Sequence, residues 1–164
     1  AQQDRFMMKV LVRYPTFDEE FEVARRTTGS SSAEITPVLS GPEILDLQKF
    51  VRTIEVSENA IRYALALVRQ TRVDQLGIPD YVREQLGWGA GPRAVQFLIL
   101  GAKTRAAMQG RAYVAAEDIK ALAKPILRHR IVVTFAAESE GVTSDSVVDK
   151  LLHDTPTEQD ELLR

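Results

Sequence analysis

The run from Trp88 to Ala94 contains the residue types that could do chemistry in this chain. Pro92 suits the first position of a helix, because its missing N–H has no helical partner to lose there. Arg93 then falls in the first turn, where free N–H groups and the helix dipole attract anions and a guanidinium adds a forked donor matched to phosphate. The pattern indicates a nucleotide contact at Gly91, Pro92 and Arg93. From these residues alone, the alternative is a simple helix start with a solvated Arg93.

The composition is that of one globular domain with a real core: 164 residues, 45% hydrophobic and 27% charged. A formal net charge of −2 provides no basic field for nucleic acid or for an anionic membrane. Cysteine is absent, and the two histidines, His129 and His153, are far apart, so we expect no disulfide and no metal site. No apolar run has transmembrane length and no signal peptide is visible, so the expected location is the cytoplasm. The first residue is Ala1, which is typical of a piece of a longer chain or of a processed protein.

The residues from Trp88 to Ala94 must be positioned by helices, because the sequence predicts a mostly α-helical bundle with two short extended segments. The predicted helices cover residues 16–27, 42–53, 58–72, 91–109, 115–128 and 144 onward. Alternating apolar residues predict a strand over 6–13 whose sheet partners lie elsewhere, and a second strand over 130–135. Residues 28–40 and 73–87 are expected to be flexible, with a turn of helix over 81–86.

Apolar positions predict which helix faces are buried. Phe17 and Phe21 share one face of the first helix, and Ile44 and Leu47 belong to the stripe of the second. The helix over 91–109 is apolar nearly all round at its start, so we expect it to be central. The acidic pair at residues 117–118 is expected to complement a helix dipole.

Other side chains each have a functional and a structural interpretation. Lys124, Arg128 and Arg130 could form a basic patch for a partner, or simply a solvated helix end. His129 could sense pH, or be an ordinary polar residue at the helix end. Trp88 could stack on an adenine, or close an edge of the core.

Several motifs also follow one another in the order of a known family. In chain order they are Ala-Gln-x-Asp-Arg-Phe (1–6), Tyr-Pro (14–15), Val-Leu-Ser (38–40), Gly-Ala-x-Pro-Arg-Ala (89–94), Gly-Arg-x-Tyr-Val (110–114), Glu-Asp-Ile-Lys-Ala-Leu-Ala (117–123), Pro-Ile-Leu-Arg-His-Arg (125–130) and Gly-Val-Thr-Ser (141–144). Together they resemble the C-terminal helical lid region of a MoxR-family AAA+ ATPase, preceded by the last strand of its core. The resemblance covers nearly the whole chain.

This resemblance implies that residues 1–15 end the AAA+ core and that residues 16–164 form the helical lid domain. It makes Arg93 the sensor-2 arginine, which reaches the γ-phosphate of ATP in its own subunit. It makes Arg5 the arginine finger, which enters the ATP site of a neighbouring subunit in a ring, a hexamer by this resemblance. Both would neutralise charge on the transferring phosphoryl group. The alternatives for Arg5 are a salt bridge with Asp4 and a plain surface charge.

The resemblance further implies a parent ATPase that uses ATP and Mg²⁺ for chaperone-like remodelling or maturation of partner proteins, such as proteins with a von Willebrand factor A domain. The chain lacks the Gly-x-x-x-x-Gly-Lys-Ser/Thr loop and an apolar strand ending in Asp-Glu. We therefore expect it to bind no ATP tightly and to be inactive by itself. The alternative function is a non-catalytic helical interaction module that keeps only the lid fold. No nucleic-acid or membrane partner is expected.

Overall fold

A computed structural model describes residues 2–29 and 35–157. Within them the chain is mostly helical, which confirms the predicted fold class. The elements in chain order are α1 (Phe17–Thr27), α2 (Gly41–Thr53), α3 (Glu58–Arg69), α4 (Asp80–Gln85), β1 (Leu86–Trp88), α5 (Pro92–Met108), α6 (Ala116–Leu127), β2 (Val132–Val133), α7 (Phe135–Ser139) and α8 (Ser144–Asp154). The predicted loop over 28–40 lies partly outside the described residues.

Local side-chain caps set where the helices begin. Thr16 and Ser40 each accept a hydrogen bond from the backbone N–H three residues on, and the carboxylates of Glu19 and Glu43 accept from the cap N–H groups. These reciprocal bonds satisfy N–H groups that have no partner inside the helix. Helix α8 is capped by Thr143, whose side chain accepts from the N–H of Ser146 at 3.1 Å.

Helix α5 lies at the centre, as predicted, and packs against α3 and α6. Leu98, Ala102 and Ala106 on its inner face are fully buried. A Cβ on Gly101 would lie 2.9 Å from Cδ1 of Leu122, so this glycine lets α6 approach closely. The approach buries apolar area on both helices, which is the main source of stability for such a bundle.

A two-stranded antiparallel sheet joins the segment before α5 to the segment after α6. Leu86 of β1 pairs with Val133 of β2, and Trp88 pairs with Val132 across a bulge. Strand β2 confirms part of the predicted strand over 130–135. The prediction that 73–87 is flexible was wrong at its C-terminal end, where α4 and β1 are anchored by buried side chains; the predicted turn of helix there was right.

The predicted strand over 6–13 was wrong, since no strand forms there. The segment has no regular secondary structure and no sheet neighbour among the described residues, and unpaired strands do not persist alone. Its backbone bonds to the end of α6 instead: the N–H of Lys9 donates to the carbonyl of Pro125 at 2.8 Å. The side chains of Val10 and Val12 remain exposed.

The first two helices bury none of their residues, contrary to the core stripes that their patterns predict. Phe17 and Phe21 of α1 and Ile44 and Leu47 of α2 are all exposed among the described residues. Their capping and periodicity form the helices, and α2 contacts α5, but these four apolar side chains stay exposed. No described helix is long and apolar enough to cross a membrane.

Candidate functional site

The candidate site is built around the first turn of α5. Gly91 is the N-cap in extended conformation, Pro92 is the first helical residue and Arg93 the second. No side chain caps this end. Pro92 has no N–H and the Ala94 N–H donates to the Gly91 carbonyl at 3.1 Å, so the first turn presents the N–H of Arg93 beside the Arg93 guanidinium. The structure thus places the three predicted nucleotide-contact residues together in the geometry that favours an anion.

The loop before α5 is fixed by its contact with the end of α3. Buried Thr71 accepts a hydrogen bond from the N–H of Ala90 at 2.9 Å and donates to the carbonyl of Val68 at 2.7 Å. A Cβ on Gly89 would lie 2.2 Å from the Thr71 carbonyl oxygen, so only glycine allows this approach. Arg72 adds a bond to the Ala90 carbonyl at 3.1 Å. The start of α5 is therefore held on a rigid support.

Arg93 points from this support toward the N-terminal turn of the chain. Its Nη1 lies 3.4 Å from Oδ2 of Asp4, and its side chain is 58% exposed. Such a long, solvated ion pair is worth less than about 1 kcal/mol, so Arg93 can exchange Asp4 for another anion at little cost. A cavity of about 710 Å³ opens here, and its lining is Gln2, Gln3, Asp4, Trp88, Gly89, Gly91, Arg93, His129, Arg130 and Val132.

Arg5 is exposed on the same turn, with its guanidinium 5.3 Å from the centre of the Phe6 ring. It does not form the salt bridge with Asp4 that was its alternative interpretation, because Asp4 pairs with Arg93 and Arg130 instead. The two arginines that the sequence singles out therefore stand on adjoining parts of the fold, linked through the residue that precedes Arg5.

Arg130 is a buried cation that the sequence interpretation missed. Its side chain is 1% exposed, and its Nε donates to Oδ1 of Asp4 at 3.0 Å. Its terminal nitrogens donate to the carbonyls of Asp4, Phe6, Met7 and Ile126. Asp4 and Arg130 are 126 residues apart, so no local signal could have paired them.

The structure does not favour a basic patch over a solvated helix end at the end of α6, because each of the three cations is already paired. Lys124 binds Asp149 at 2.8 Å, Arg128 binds Asp145 at 3.0 Å, and Arg130 is buried on the turn. The description of a solvated helix end is wrong for Arg130.

His129 contacts the same N-terminal turn. Its Nε2 lies 3.1 Å from the carbonyl of Phe6, which assigns the proton to Nε2. Burial lowers the pKa of His129, the Phe6 carbonyl raises it and the nearby charge of Arg130 lowers it, for a net decrease. The lowered pKa favours the neutral form of His129, and a pH-sensing role stays a hypothesis beside that of an ordinary polar residue at the helix end.

Trp88 is 69% exposed on β1, where its indole lies at the mouth of the cavity. Its exposure contradicts the alternative that it closes an edge of the core. An exposed ring that lines the same cavity as Arg93 is suited to stacking on a base. The adenine contact stays a prediction.

A second charged cluster, also missed, joins α5 to α6. Buried Asp118 accepts from Arg105 at 2.5 Å, from Arg111 at 2.7 and 2.8 Å and from the Ala115 N–H at 2.9 Å. Burial alone would raise the pKa of Asp118, but the hydrogen bonds from Arg111, Ala115 and Arg105 outweigh it and lower the pKa to about 2. Asp118 is thus a structural ion-pair centre and more than a complement to the helix dipole. Across residues 2–29 and 35–157, no group of three His, Asp or Glu side chains could hold a metal ion.

Comparisons with known proteins agree on one relationship. The AAA lid domain family matches residues 78–151. The chain is 33% identical to the chaperone MoxR1 of Mycobacterium tuberculosis over 93% of this chain and 40% of that protein. It is 30% identical to protein MoxR of Methylorubrum extorquens over 80% of this chain and 41% of that protein.

A solved structure shares the fold. The crystal structure of a proposed ATPase from Cytophaga hutchinsonii superposes with a TM-score of 0.85 at 31% identity, covering 94% of this chain and 47% of that one. The chain spans about two fifths of the length of the curated relatives named above.

Proposed function

Because this chain carries the lid region of a MoxR-family AAA+ ATPase, we propose that it senses and completes the ATP sites of an oligomeric ring. In this proposal Arg93 is the sensor-2 arginine, which contacts the γ-phosphate of ATP in its own subunit. Arg5 is the arginine finger, which acts at the site of a neighbouring subunit. The division into an end of the core (1–15) and a lid (16–164) belongs to the same proposal.

The observation that carries the proposal is the position of Arg93 and its weak pairing. Its guanidinium lies beside the uncapped N-terminus of α5 and faces a cavity, and its one ion-pair contact among residues 2–29 and 35–157 is the 3.4 Å contact with Asp4. A helix N-terminus and an arginine together favour a phosphate by charge and by hydrogen-bond geometry. A structural arginine would be expected to have closer partners, as Arg130 does.

The residues at the start of α5 fit the phosphate end of ATP. The ligands of the Mg²⁺ ion that accompanies ATP would come from other parts of the full-length protein. Gly91 and Arg93 offer backbone N–H groups, Arg93 adds a cation, Pro92 sets the start of the helix, and the described residues supply no carboxylate cluster for Mg²⁺. Mg²⁺, when bound, would supply positive charge that offsets the charge of the phosphates. The phosphate loop and the acidic Mg²⁺-binding strand would belong to the part of the protein outside this sequence.

At the level of the whole protein, we propose ATP-driven, chaperone-like remodelling or maturation of partner proteins in the cytoplasm. The name of the Mycobacterium tuberculosis relative, a chaperone, supports this kind of activity. Proteins with a von Willebrand factor A domain are the partners that the family resemblance suggests. A hexameric ring is the proposed assembly.

The proposal is tested by replacing Arg93 in the full-length protein. Arg93→Ala should lower ATP turnover at least ~100-fold, since a single lost donor to a transition-state oxyanion costs on the order of 10²–10³-fold. It should also reduce the preference for ATP over ADP in a binding titration, because only ATP carries the γ-phosphate. Arg62→Ala is the matched control, since Arg62 is an exposed arginine paired only with Glu58 on its own helix. Unchanged turnover and unchanged ATP preference in Arg93→Ala would refute the sensor assignment.

A non-catalytic interaction module is the second candidate, and the uncovered apolar faces of α1 and α2 favour it. The two candidates differ in what the full-length sequence must contain. A phosphate loop and an Asp-Glu strand upstream of residue 1 support the ATPase, and a full-length protein without them supports the interaction module.

A further inference from the structure

We propose that Arg130 is a positioning residue that fixes the candidate finger turn, residues 2–7, on the lid of its own subunit. This inference rests on the proposed role of Arg5 as a finger acting on a neighbouring site. It goes further by naming the lid residue that determines where the finger stands.

Every N–H of the Arg130 guanidinium has an acceptor, and all but one of these acceptors belong to the finger turn. Nε donates to Oδ1 of Asp4 at 3.0 Å, while Nη2 donates to the carbonyl of Asp4 at 2.8 Å and to that of Phe6 at 2.5 Å. Nη1 donates to the carbonyl of Met7 at 3.1 Å and to that of Ile126. Five donors therefore meet five acceptors, which only the planar arginine fork provides.

The surroundings hold this guanidinium in one place. The Phe97 ring on α5 lies 4.9 Å from its Cζ, and the side chain is almost fully buried. A buried, fully bonded guanidinium has little freedom, so the backbone that accepts its bonds is fixed as well. Arg5 lies between two of the accepting residues, so its backbone is held while its side chain extends into solvent.

Asp4 contacts two arginines, Arg130 and Arg93, and the two contacts differ in length and in burial. Its contact with Arg130 is 3.0 Å long and buried on the arginine side, whereas its contact with Arg93 is 3.4 Å long and solvated. A phosphate that draws Arg93 away would therefore break the weaker contact and leave the bonds between Arg130 and the finger turn intact. The finger of each subunit then moves with its lid whether or not its own site is loaded.

The test is a complementation assay with the full-length ATPase. Arg130→Lys keeps the charge but has one nitrogen in place of three, so the turn loses most of its bonds. Misplacing a catalytic group by about 1 Å costs on the order of 10²-fold, so we expect turnover to fall by roughly 10- to 100-fold. In rings mixed with subunits whose phosphate-loop lysine is replaced, Arg130→Lys subunits receive an intact finger from their neighbours. The mixture should therefore be more active than either variant alone.

Two parallel mixtures separate the outcomes. Arg5→Ala subunits should also be rescued by dead-site subunits; if they are not, the proposed finger itself fails. If Arg5→Ala is rescued and Arg130→Lys is not, the finger stands and the positioning role of Arg130 is refuted. Arg128→Lys is the matched control, since Arg128 binds Asp145 and the Lys9 carbonyl but not the turn, and it should keep wild-type turnover.

A second variant covers the case in which Arg130→Lys does not fold. Asp4→Asn keeps the four carbonyl bonds of Arg130 and weakens its carboxylate contact. The variant also weakens the solvated 3.4 Å contact with Arg93, which leaves Arg93 free for its own site. We expect a loss of turnover smaller than that of Arg5→Ala and rescued by the same dead-site subunits. Wild-type turnover, or a loss that dead-site subunits do not rescue, would overturn the inference.

Discussion

Replacing Asp118 by asparagine removes the anion that joins α5 to α6. The folded pKa of Asp118 is about 2 against an ordinary value of 3.8, and each pKa unit is worth about 1.4 kcal/mol, so the ionised form contributes about 2 kcal/mol. Because the folded pKa is the lower one, the contribution is fully present above about pH 4 and is lost as the pH falls through about 2. Arg105 and Arg111 are partly exposed, so water can hydrate them in the variant. This hydration limits the loss of unfolding free energy to about 2 kcal/mol.

The assay is urea unfolding of wild type and Asp118→Asn at pH 7, 5 and 3. The free energy of unfolding should differ by about 2 kcal/mol at pH 7 and by about 1 kcal/mol at pH 3. Glu117→Gln is the matched control, because Glu117 is the exposed neighbour on the same helical turn. A difference below about 0.5 kcal/mol at pH 7, or one that stays constant down to pH 3, would refute the reasoning.

Three further predictions concern the support of the candidate site and the helix ends. Gly89→Ala should destabilise the chain by about 2 kcal/mol or more in urea, because its Cβ would overlap the Thr71 carbonyl, whereas Gly41→Ala has open space and should not destabilise. Thr143→Ala should cost about 1 kcal/mol of unfolding free energy through the lost cap of α8, and Thr143→Ser should restore it. Arg93→Ala should change the unfolding free energy by less than about 1 kcal/mol, since its ion pair is long and solvated; a larger loss would indicate a structural role.

Local signals were sufficient for most of the helices and for the start of the candidate site. Capping residues such as Thr16 and the Gly-Pro pair before Arg93 act on their immediate neighbours, so their effect can be read along the chain. The all-round apolarity of α5 likewise indicates its central place without knowledge of any partner.

The remainder depends on contacts between distant residues. The sequence around Asp4 and around Arg130 contains no local pattern that predicts their ion pair. Strand β1 forms through its pairing with β2, which lies far along the chain. The segment over 6–13 has the pattern of a strand but no sheet among the described residues, so it takes its backbone partner from α6. The periodicity of a segment indicates which secondary structure it favours, but contacts with distant segments determine which one forms.

The central claim, that these subunits complete one another's ATP sites, is tested most directly by mixing wild-type subunits of the full-length protein with subunits that carry both Arg5→Ala and a replaced phosphate-loop lysine. Turnover is measured as the fraction of the doubly substituted subunit rises while the total concentration stays fixed. Such a subunit has no turnover of its own and would supply no finger, so it should also silence the wild-type site beside it, and turnover should fall below the wild-type fraction. Subunits with the replaced lysine alone are the matched control, and they should lower turnover only in proportion to their fraction. A rate per wild-type subunit that does not depend on its neighbours would contradict the account.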